Sequence, residues 1–264
     1  MSKKDWGERR KPLLERNRMT ECIVRLADHI IGIRVEYEST RAFCKDYLSE
    51  GRAECWITTD QVEIRRECAG SILDEGQEGK SARGYSDGYL ETLAVYRKIC
   101  EAMVEYDTIL MHGSVVAVDG QAYLFTAKSG TGKSTHTRFW REVFGDRAIM
   151  VNDDKPLLKI EEDRVLACGT PWDGKHRLST NICVPLKAIC ILERGEENEI
   201  HSISPQEALP MVFQQTYRPK NVLKYMELID KLSQRVSFYR FRCTPTKEAA
   251  QIAWEGMQIP KKEI

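Results

Sequence analysis

The chain has 264 residues, of which 42% are hydrophobic and 30% are charged, enough for one sizeable core with a smaller satellite unit. Its 40 Lys and Arg residues balance 40 Asp and Glu residues, so bulk charge favours neither a nucleic acid nor an anionic membrane as a partner. No apolar run is long enough to span a membrane, and residues 1–18 lack the apolar segment of a signal peptide. We therefore expect a soluble, cytoplasmic protein.

The cysteines show no metal-binding or disulfide pattern. There are nine, at positions 22, 44, 55, 68, 100, 168, 183, 190 and 243, with no Cys-x-x-Cys pair and no matching histidine spacing. Cys100, Cys183 and Cys190 lie inside apolar segments, where a thiol behaves as a small hydrophobic side chain. We expect all nine to be reduced, without a metal-binding or catalytic role.

The N-terminal part begins with two β-prone runs within residues 22–37, separated by the polar pair Asp28-His29. This pattern predicts a β-hairpin. Ser39 is then expected to cap a short helix over 40–50, because apolar side chains recur there at helical spacing and Gly51 follows. The hairpin and the helix together indicate a small α+β unit.

A strand over 53–59 is predicted to complete this unit, and a further strand over 62–65 is compatible with the sequence. The stretch 70–84 is rich in Gly, Glu and Ser and offers little to bury, which is typical of a connecting loop. The chain is therefore divided into a small unit, 1–80, and a larger unit, 85–264.

The larger unit is predicted to begin with a helix over 87–106, whose apolar side chains fall on one face. Asp119-Gly120 lies between two β-prone runs, 114–118 and 121–126, and an Asp-Gly there is a strong hairpin signal. The remaining strands and helices indicate an α/β domain with a mixed sheet. Their predicted ranges are strands 148–151, 156–160, 164–167, 188–192 and 238–243, and helices 134–144, 204–214, 222–232 and 246–257.

The segment Ala127-Lys-Ser-Gly-Thr-Gly-Lys-Ser-Thr135 joins the second strand of that hairpin to a helix. This spacing in a strand–loop–helix context is typical of a P-loop (Walker A), in which backbone N–H groups bind phosphate oxygens. The expected phosphate-binding residues are Ser129, Gly130, Thr131, Gly132, Lys133, Ser134 and Thr135.

Within this loop, Lys133 is expected to reach the β- and γ-phosphates, and the Ser134 hydroxyl to bind Mg²⁺. The usual pattern begins with glycine, where this chain has Ala127. A methyl group costs little there if the local φ is negative. The alternative is a Gly- and Ser-rich turn that only resembles a P-loop. The context favours binding of a nucleoside triphosphate, with ATP and Mg²⁺ as the expected cofactors.

Asp153 and Asp154 follow the predicted strand 148–151, only one helix beyond Lys133. Mg²⁺ prefers oxygen ligands, and an acceptor hydroxyl must lose its proton during phosphoryl transfer. We expect strand 148–151 to lie beside the loop strand, with its carboxyl end at the phosphates. An isolated Asn-Asp-Asp would more often cap a turn, but the neighbouring loop favours a catalytic role for at least one aspartate.

Three further segments carry weaker candidates. His112 precedes the hairpin and could approach the γ-phosphate, although a lone histidine is more often structural. Arg177 ends a polar segment, 169–177, that also carries Lys175 and His176 and suits a mobile loop closing a cation over phosphate; a basic surface loop is the alternative. Arg218 lies in a turn and is the weakest candidate.

These residues resemble the HPr kinase/phosphorylase and phosphoenolpyruvate carboxykinase-like group. The resemblance rests on Met-His112-Gly113, the Asp-Gly hairpin, residues 129–135 and Asn-Asp153-Asp154, and it spans about residues 110–188. In that group the carboxylate pair follows the loop closely, which is the most specific part of the match. The resemblance implies the mixed-sheet α/β fold of that group, with Asp153 as the base, and Asp154 and Ser134 as Mg²⁺ ligands.

The chain departs from both named members of this group. Its N-terminal unit is short for an HPr kinase and shows no recognisable HPr-docking features, and it has neither the length nor the second metal-binding set of a carboxykinase. We therefore expect a kinase that phosphorylates a hydroxyl, such as a serine in a peptide or protein, or a small metabolite. The alternative is an ATP-binding regulatory protein without catalysis, and a phosphorylase or carboxykinase-like activity is the third option. The acceptor and the oligomeric state, including a homo-oligomer, stay open.

Overall fold

A computed structural model of the chain describes residues 19–67 and 85–258. The charged leader, 1–18, and the predicted connecting loop, 70–84, lie outside these residues. Within them the protein has a mixed α/β fold, with a three-stranded sheet and a nine-stranded mixed sheet. The division into units 1–80 and 85–264 stays a prediction. In the described part of the chain, no helix is long and apolar enough to cross a membrane.

The small sheet contains the predicted hairpin. Strand β1 (Thr20–Leu26) pairs antiparallel with β2 (His29–Val35), and β3 (Cys55–Thr58) pairs parallel with β2. The turn is Ala27-Asp28, with φ of 48° and 66°, the left-handed conformation that two-residue hairpin turns require. The predicted turn is therefore displaced by one residue.

Helix α1 (Glu38–Phe43) corrects the predicted helix at 40–50. Tyr37 is the residue before its first turn and makes no side-chain cap, so the assignment of Ser39 as the cap is wrong. Instead, the buried carboxylate of Glu91 accepts hydrogen bonds from the backbone N–H groups of Glu36 (2.7 Å) and Tyr37 (3.1 Å). A residue that lies far away in the sequence thus organises the start of this helix.

The strand over 62–65 is also wrong, because residues 61–67 are helical and form α2. Asp60 and Glu63 form a reciprocal capping box before it. The Glu63 N–H donates to Asp60 Oδ1 (2.9 Å), and the Asp60 N–H donates to Glu63 Oε2 (3.2 Å). An acidic residue followed three positions later by glutamate is a helix-start signal, which outweighs the β-prone residues here.

Helix α3 (Asp87–Met103) confirms most of the predicted helix at 87–106. Ser86 caps it by accepting a hydrogen bond from the Tyr89 N–H at 3.3 Å. Its apolar side chains Val95, Ile99 and Met103 belong to one buried cluster with the small sheet and with part of the large sheet. The helix therefore joins the two sheets through shared apolar packing.

The large sheet has nine strands among the described residues. They are β4 (Thr108–Leu110), β5 (Ser114–Val118), β6 (Gln121–Thr126), β7 (Ala148–Asn152), β8 (Leu157–Ile160), β9 (Val165–Cys168), β10 (Cys183–Arg194), β11 (Glu199–Ile203) and β12 (Ser237–Cys243). The strand order is β4-β8-β9-β10-β6-β5-β7, and β12 pairs with β10 and with β11. Long strand β10 pairs parallel with β6 and β12 and antiparallel with β9, so it is the branch point of the sheet. Short strands β4 and β11 have no counterpart among the predicted elements.

One neighbour relation differs from the prediction. Strand β7 does not lie beside the loop strand β6, because β5 lies between them and pairs antiparallel with both. The hairpin occupies that edge of β6, so β7 pairs with the other edge of β5. Ser114 opposes Phe125 of β6, and Val115 opposes Asn152 of β7. The start of β5 therefore lies between the carboxyl ends of β6 and β7.

Four helices cover the large sheet on both faces. They are α4 (Lys133–Phe144), α5 (Pro205–Gln215), α6 (Val222–Arg235) and α7 (Lys247–Gly256), and they confirm the predicted helices within a few residues. Alternate β6 side chains face opposite sides of the sheet. Tyr123 and Phe125 pack in one cluster with α4 and α7, and Leu124 packs in another with α5 and α6.

The expectation of nine reduced cysteines is wrong for one pair. Cys168 at the end of β9 lies directly opposite Cys183 at the start of β10, and the two form a disulfide. Their pairing depends on antiparallel strand register, which local spacing does not reveal. The free cysteines of the described residues are buried or half-buried. No group of three or more His, Cys, Asp or Glu side chains in that part of the chain could hold a metal ion.

Candidate functional site

The glycine loop lies between β6 and α4, as predicted. Gly130 has a φ of 76° and Gly132 a φ of 119°, conformations that are strained for residues with a side chain. Ala127 is buried and is not among the residues with positive φ, which confirms that its methyl group fits the backbone there. Thr131 donates its hydroxyl to the Lys128 carbonyl at 2.9 Å and closes the turn.

Helix α4 begins at Lys133, so its unpaired backbone N–H groups point towards the glycine loop. The Lys133 Nζ donates to the Ala127 carbonyl at 3.2 Å. Burial lowers the pKa of Lys133, and the charges of Asp154 and Asp153 oppose this shift. The side chain is thus a half-buried cation within electrostatic range of both aspartates. Ser129 and Ser134 are exposed, and Thr135 is half-buried.

Asp153 follows β7 and is buried against the first turns of α4. Its Oδ1 accepts a hydrogen bond from Ser114 Oγ at 2.6 Å, and that hydroxyl lies 2.8 Å from Thr137 Oγ1. Burial raises the pKa of Asp153, while hydrogen bonds from Ser114 and Ser134 and the nearby His176 counteract part of the rise. A carboxylate that gains a proton more readily than usual is suited to act as a general base.

Asp154 has a different environment from its neighbour. Its oxygens lie 3.2 Å from His112 Nε2 and 3.2 Å from Lys155 Nζ. Burial alone would raise the pKa of Asp154, but the hydrogen bond from His112 and the charge of Lys155 outweigh it, and the pKa is lowered. Asp154 therefore stays ionised. His112 reaches the site through Asp154.

Asn152 caps the turn that carries both aspartates. Its side-chain oxygen accepts the backbone N–H groups of Asp154 (2.8 Å) and Lys155 (2.6 Å), and its amide donates to the Thr170 carbonyl at 3.0 Å. The turn-capping alternative for Asn-Asp-Asp thus describes Asn152 itself. Because the side chain of Asn152 caps the turn, the carboxylates of Asp153 and Asp154 are not used as caps and make the contacts described above.

The segment 169–182 lies against the aspartate pair. A Cβ on Gly174 would lie 3.5 Å from Asp154 Cβ and 3.7 Å from the Asp153 carbonyl oxygen. Arg177 does not extend towards the glycine loop, since its guanidinium stacks on the Phe43 ring at 4.2 Å and lies 3.4 Å from Asp173. Its neighbour His176 is the side chain whose charge affects Asp153. The catalytic role of Arg177 stays a prediction.

Arg194 is a site residue that the sequence analysis does not identify. It ends β10, which runs parallel to β6, so both strands finish at the same edge of the sheet. Its Nη2 donates to the Gly130 carbonyl at 2.6 Å. The sequence signal is a cation at the end of a long apolar strand, but the predicted strand stops two residues earlier, at Leu192. The weak candidate Arg218 is exposed and lines neither of the clefts described next.

Two clefts open near these residues and share no lining residue. The glycine-loop cleft, of about 450 Å³, is formed by the loop, the first turns of α4, and the ends of β10 and β12 with the residues that follow them. The aromatic cleft, of about 370 Å³, is formed by α1, α3, the turn after β7 and the segment 172–177. Its side chains include Phe43, Leu93, Asp154, Trp172 and Lys175.

The fold and this site define a mixed α/β protein with a glycine loop beside a pair of aspartates. The chain belongs to the family described as SynChlorMet cassette protein ScmC, whose sequence model matches residues 88–252. A search of the curated proteins found no match. The structure of the Hpr(Ser) kinase/phosphatase from Coxiella burnetii is similar in part, with a TM-score of 0.36, 10% identity, and coverage of 56% of this chain and 93% of that chain. A similarity of this size carries no conclusion about function.

Proposed function

We propose that the protein is a kinase that transfers the γ-phosphoryl group of ATP, with Mg²⁺, to a hydroxyl of a peptide, protein or small metabolite. The observation that carries the proposal is the position of Asp153. This buried carboxylate with a raised pKa lies against the start of α4, directly before Asp154 in the chain and within electrostatic range of Lys133. Phosphoryl transfer needs a cation, a metal site and a base close together.

The residues present fit a triphosphate. The loop at Gly130 and Gly132 has the positive φ values that let backbone N–H groups converge, and α4 begins directly after it. Lys133 and Arg194 add positive charge at the same loop. The glycine-loop cleft, of about 450 Å³, is within the size range of small-molecule sites.

The oxygen groups also fit Mg²⁺, which is commonly bound by one or two carboxylates together with substrate phosphates and water. Asp154, which stays ionised, and the exposed hydroxyl of Ser134 are the residues that would hold it. The metal would supply neutralisation of negative charge on the phosphates. The absence of a protein-only metal cluster among the described residues is compatible with such a site.

In the proposed reaction, the acceptor hydroxyl oxygen forms a bond to the γ-phosphorus of ATP. The bond between the γ-phosphorus and the oxygen bridging to the β-phosphate breaks, and ADP leaves with that electron pair. The hydroxyl proton moves to the Asp153 carboxylate. Lys133 stabilises the negative charge on the transferring group, and Ser114 orients Asp153 through its 2.6 Å hydrogen bond.

The two aspartates support different roles because their pKa values are shifted in opposite directions. A base must accept a proton, which the raised pKa of Asp153 favours. A metal ligand must remain ionised, which the lowered pKa of Asp154 favours. Environments that separate two carboxylates in this way are characteristic of acid–base sites.

The test compares wild type with Asp153→Asn in transfer from γ-labelled ATP and Mg²⁺ to a library of peptides and hydroxyl metabolites. We expect transfer to fall by about 10³-fold, the size of a general-base contribution, with ATP binding retained. Asp119→Asn is the control, because Asp119 lies in the hairpin turn and pairs with Arg147. If wild type binds ATP but labels no acceptor, the non-catalytic ATP-binding protein is the better account.

A further inference from the structure

The aromatic cleft contains Asp154, one of the two aspartates, but none of the residues of the glycine-loop cleft. Gly174, on its wall, lies close enough that a Cβ there would contact Asp154 Cβ at 3.5 Å. A molecule in this cleft would therefore lie next to the aspartate pair without occupying the space beside the glycine loop. This position is suited to the second reactant of a two-substrate reaction.

One wall of the aromatic cleft is apolar. Its ring side chains pack on one another, with the centroids of Phe43 and Trp172 5.9 Å apart. The Trp172 Nε1 donates to the Thr92 carbonyl at 3.0 Å, so its polar atom is already satisfied and the remaining indole surface is apolar. Leu93 and the exposed ring of Tyr89 extend the same wall. Such a surface favours an apolar or aromatic group of a ligand.

The charged side chains that line the aromatic cleft differ in whether they have a partner of opposite charge. Asp154 already has His112 and Lys155 as partners, each at 3.2 Å. Asp173 accepts hydrogen bonds from Ser179, and its Oδ1 lies 3.4 Å from Arg177. Lys175, by contrast, makes no ion pair or hydrogen bond with the described residues, 19–67 and 85–258. An exposed cation beside an apolar wall favours a ligand with an anionic group.

Building on the proposed kinase activity, we propose that the aromatic cleft is the acceptor site, and that the acceptor is an alcohol carrying both an apolar or aromatic group and a carboxylate. The apolar group packs against Phe43, Leu93 and Tyr89. The carboxylate pairs with Lys175. The hydroxyl lies at the aspartate pair.

The test measures direct binding of three related probes by NMR in the absence of nucleotide. N-benzoyl-L-serine carries all three groups, N-benzoyl-L-serinamide lacks the carboxylate, and N-acetyl-L-serine lacks the aromatic ring. We expect wild type to bind N-benzoyl-L-serine about tenfold more tightly than either of the other two, the size of one charge-assisted contact or one packed ring.

Two variants assign the preferences to named side chains. Lys175→Gln should remove the preference for the carboxylate, and Tyr89→Ala, at an exposed position that leaves the fold intact, should reduce the preference for the benzoyl group. Lys247→Gln is the control, because Lys247 lines neither cleft and pairs with Glu142 on the surface. Equal binding of the three probes, no binding of any, or the same loss in Lys247→Gln would overturn the proposal.

The outcome separates this proposal from the kinase activity. Because binding is measured without ATP, its failure leaves Asp153-dependent transfer to other acceptors unaffected. Conversely, selective binding of N-benzoyl-L-serine without transfer of phosphate to any hydroxyl would retain the cleft as an anion-selective binding site and contradict the kinase.

Discussion

The glycine-loop cleft and the aromatic cleft share no lining residue and are built in different ways. In the first, one continuous segment, β6–loop–α4, supplies the glycine loop with its two positive φ values, and the ends of β10 and β12 complete the wall. The second is assembled from side chains of four segments that are distant in sequence. The difference teaches that the proposed phosphate loop is encoded by local sequence, whereas the proposed acceptor cleft depends on tertiary packing.

The largest expected effect concerns Glu91, which is buried in α3 and supports the start of α1, the helix whose last residue, Phe43, lines the aromatic cleft. Its carboxylate accepts four hydrogen bonds, from Thr40, Thr59 and the backbone of Glu36 and Tyr37. Glu91→Ala leaves these donors without an acceptor, and we expect it to lower the free energy of unfolding by about 3 kcal/mol. Urea unfolding followed by circular dichroism measures this loss.

Glu227→Ala is the matched control, because Glu227 is an exposed helix residue that pairs with lysine side chains, and we expect no measurable loss from it. Below the unfolding transition, Glu91→Ala should still bind ATP, since the glycine loop does not depend on α1. Equal stability losses in both variants would show that the Glu91 network contributes little.

A glycine pair tests the loop itself. Gly132 and Gly51 have similar φ values, 119° and 124°, and a Cβ at either would meet no atom within 4 Å. Alanine at either site should destabilise the protein by about 1–3 kcal/mol through backbone strain. Only Gly132→Ala should weaken binding of ATP with Mg²⁺, by about tenfold or more, as measured by calorimetry. If Gly51→Ala loses the same affinity, the effect of Gly132→Ala does not come from the glycine loop, and the loop is not shown to bind the nucleotide.

The smallest expected effect is a shift in pH dependence. The Ser114 hydroxyl donates to ionised Asp153 and lowers the pKa of that carboxyl, against the rise caused by burial. Ser114→Ala should therefore raise the Asp153 pKa further. Because the proposed base must be ionised, activity is lost as pH falls through this pKa, and the acid limb should move to higher pH.

Carbon-13 NMR titration of the Asp153 carboxyl, with the pH profile of transfer, measures this shift. Ser233→Ala in α6 serves as the control, since its hydroxyl donates to the Asp230 carbonyl of its own helix. An unchanged Asp153 titration in Ser114→Ala, or an equal shift in the control, would refute the role of Ser114.

Much of the region around the glycine loop could be predicted from the sequence because its signals are local. The Asp119-Gly120 hairpin, the glycine spacing and the apolar run before Asp153 each specify a short segment, and the structure has the corresponding elements. The prediction that β7 lies beside β6 was wrong. The hairpin strand β5 separates these two parallel strands, and no local sequence signal indicates this. The Cys168–Cys183 disulfide and the contact of Arg194 with Gly130 depend likewise on strand register.

The N-terminal part of the chain was less predictable for a related reason. The start of α1 depends on Glu91, more than 50 residues away along the chain, and the aromatic cleft needs Phe43 and Trp172 to meet across distant segments. The capping box at Asp60 and Glu63 was a readable local signal. It predicts α2 where β-prone side chains had suggested a strand.

The central claim, that the glycine loop binds a nucleoside triphosphate, is tested most directly by two lysines of the same loop. Lys133 is half-buried and lies within range of both aspartates, whereas Lys128 is exposed. Calorimetry with ATP and Mg²⁺ should show Lys133→Ala binding about tenfold or more weakly than wild type, and Lys128→Ala binding like wild type. If wild type does not bind ATP, or if Lys133→Ala binds as tightly as wild type, the account is contradicted.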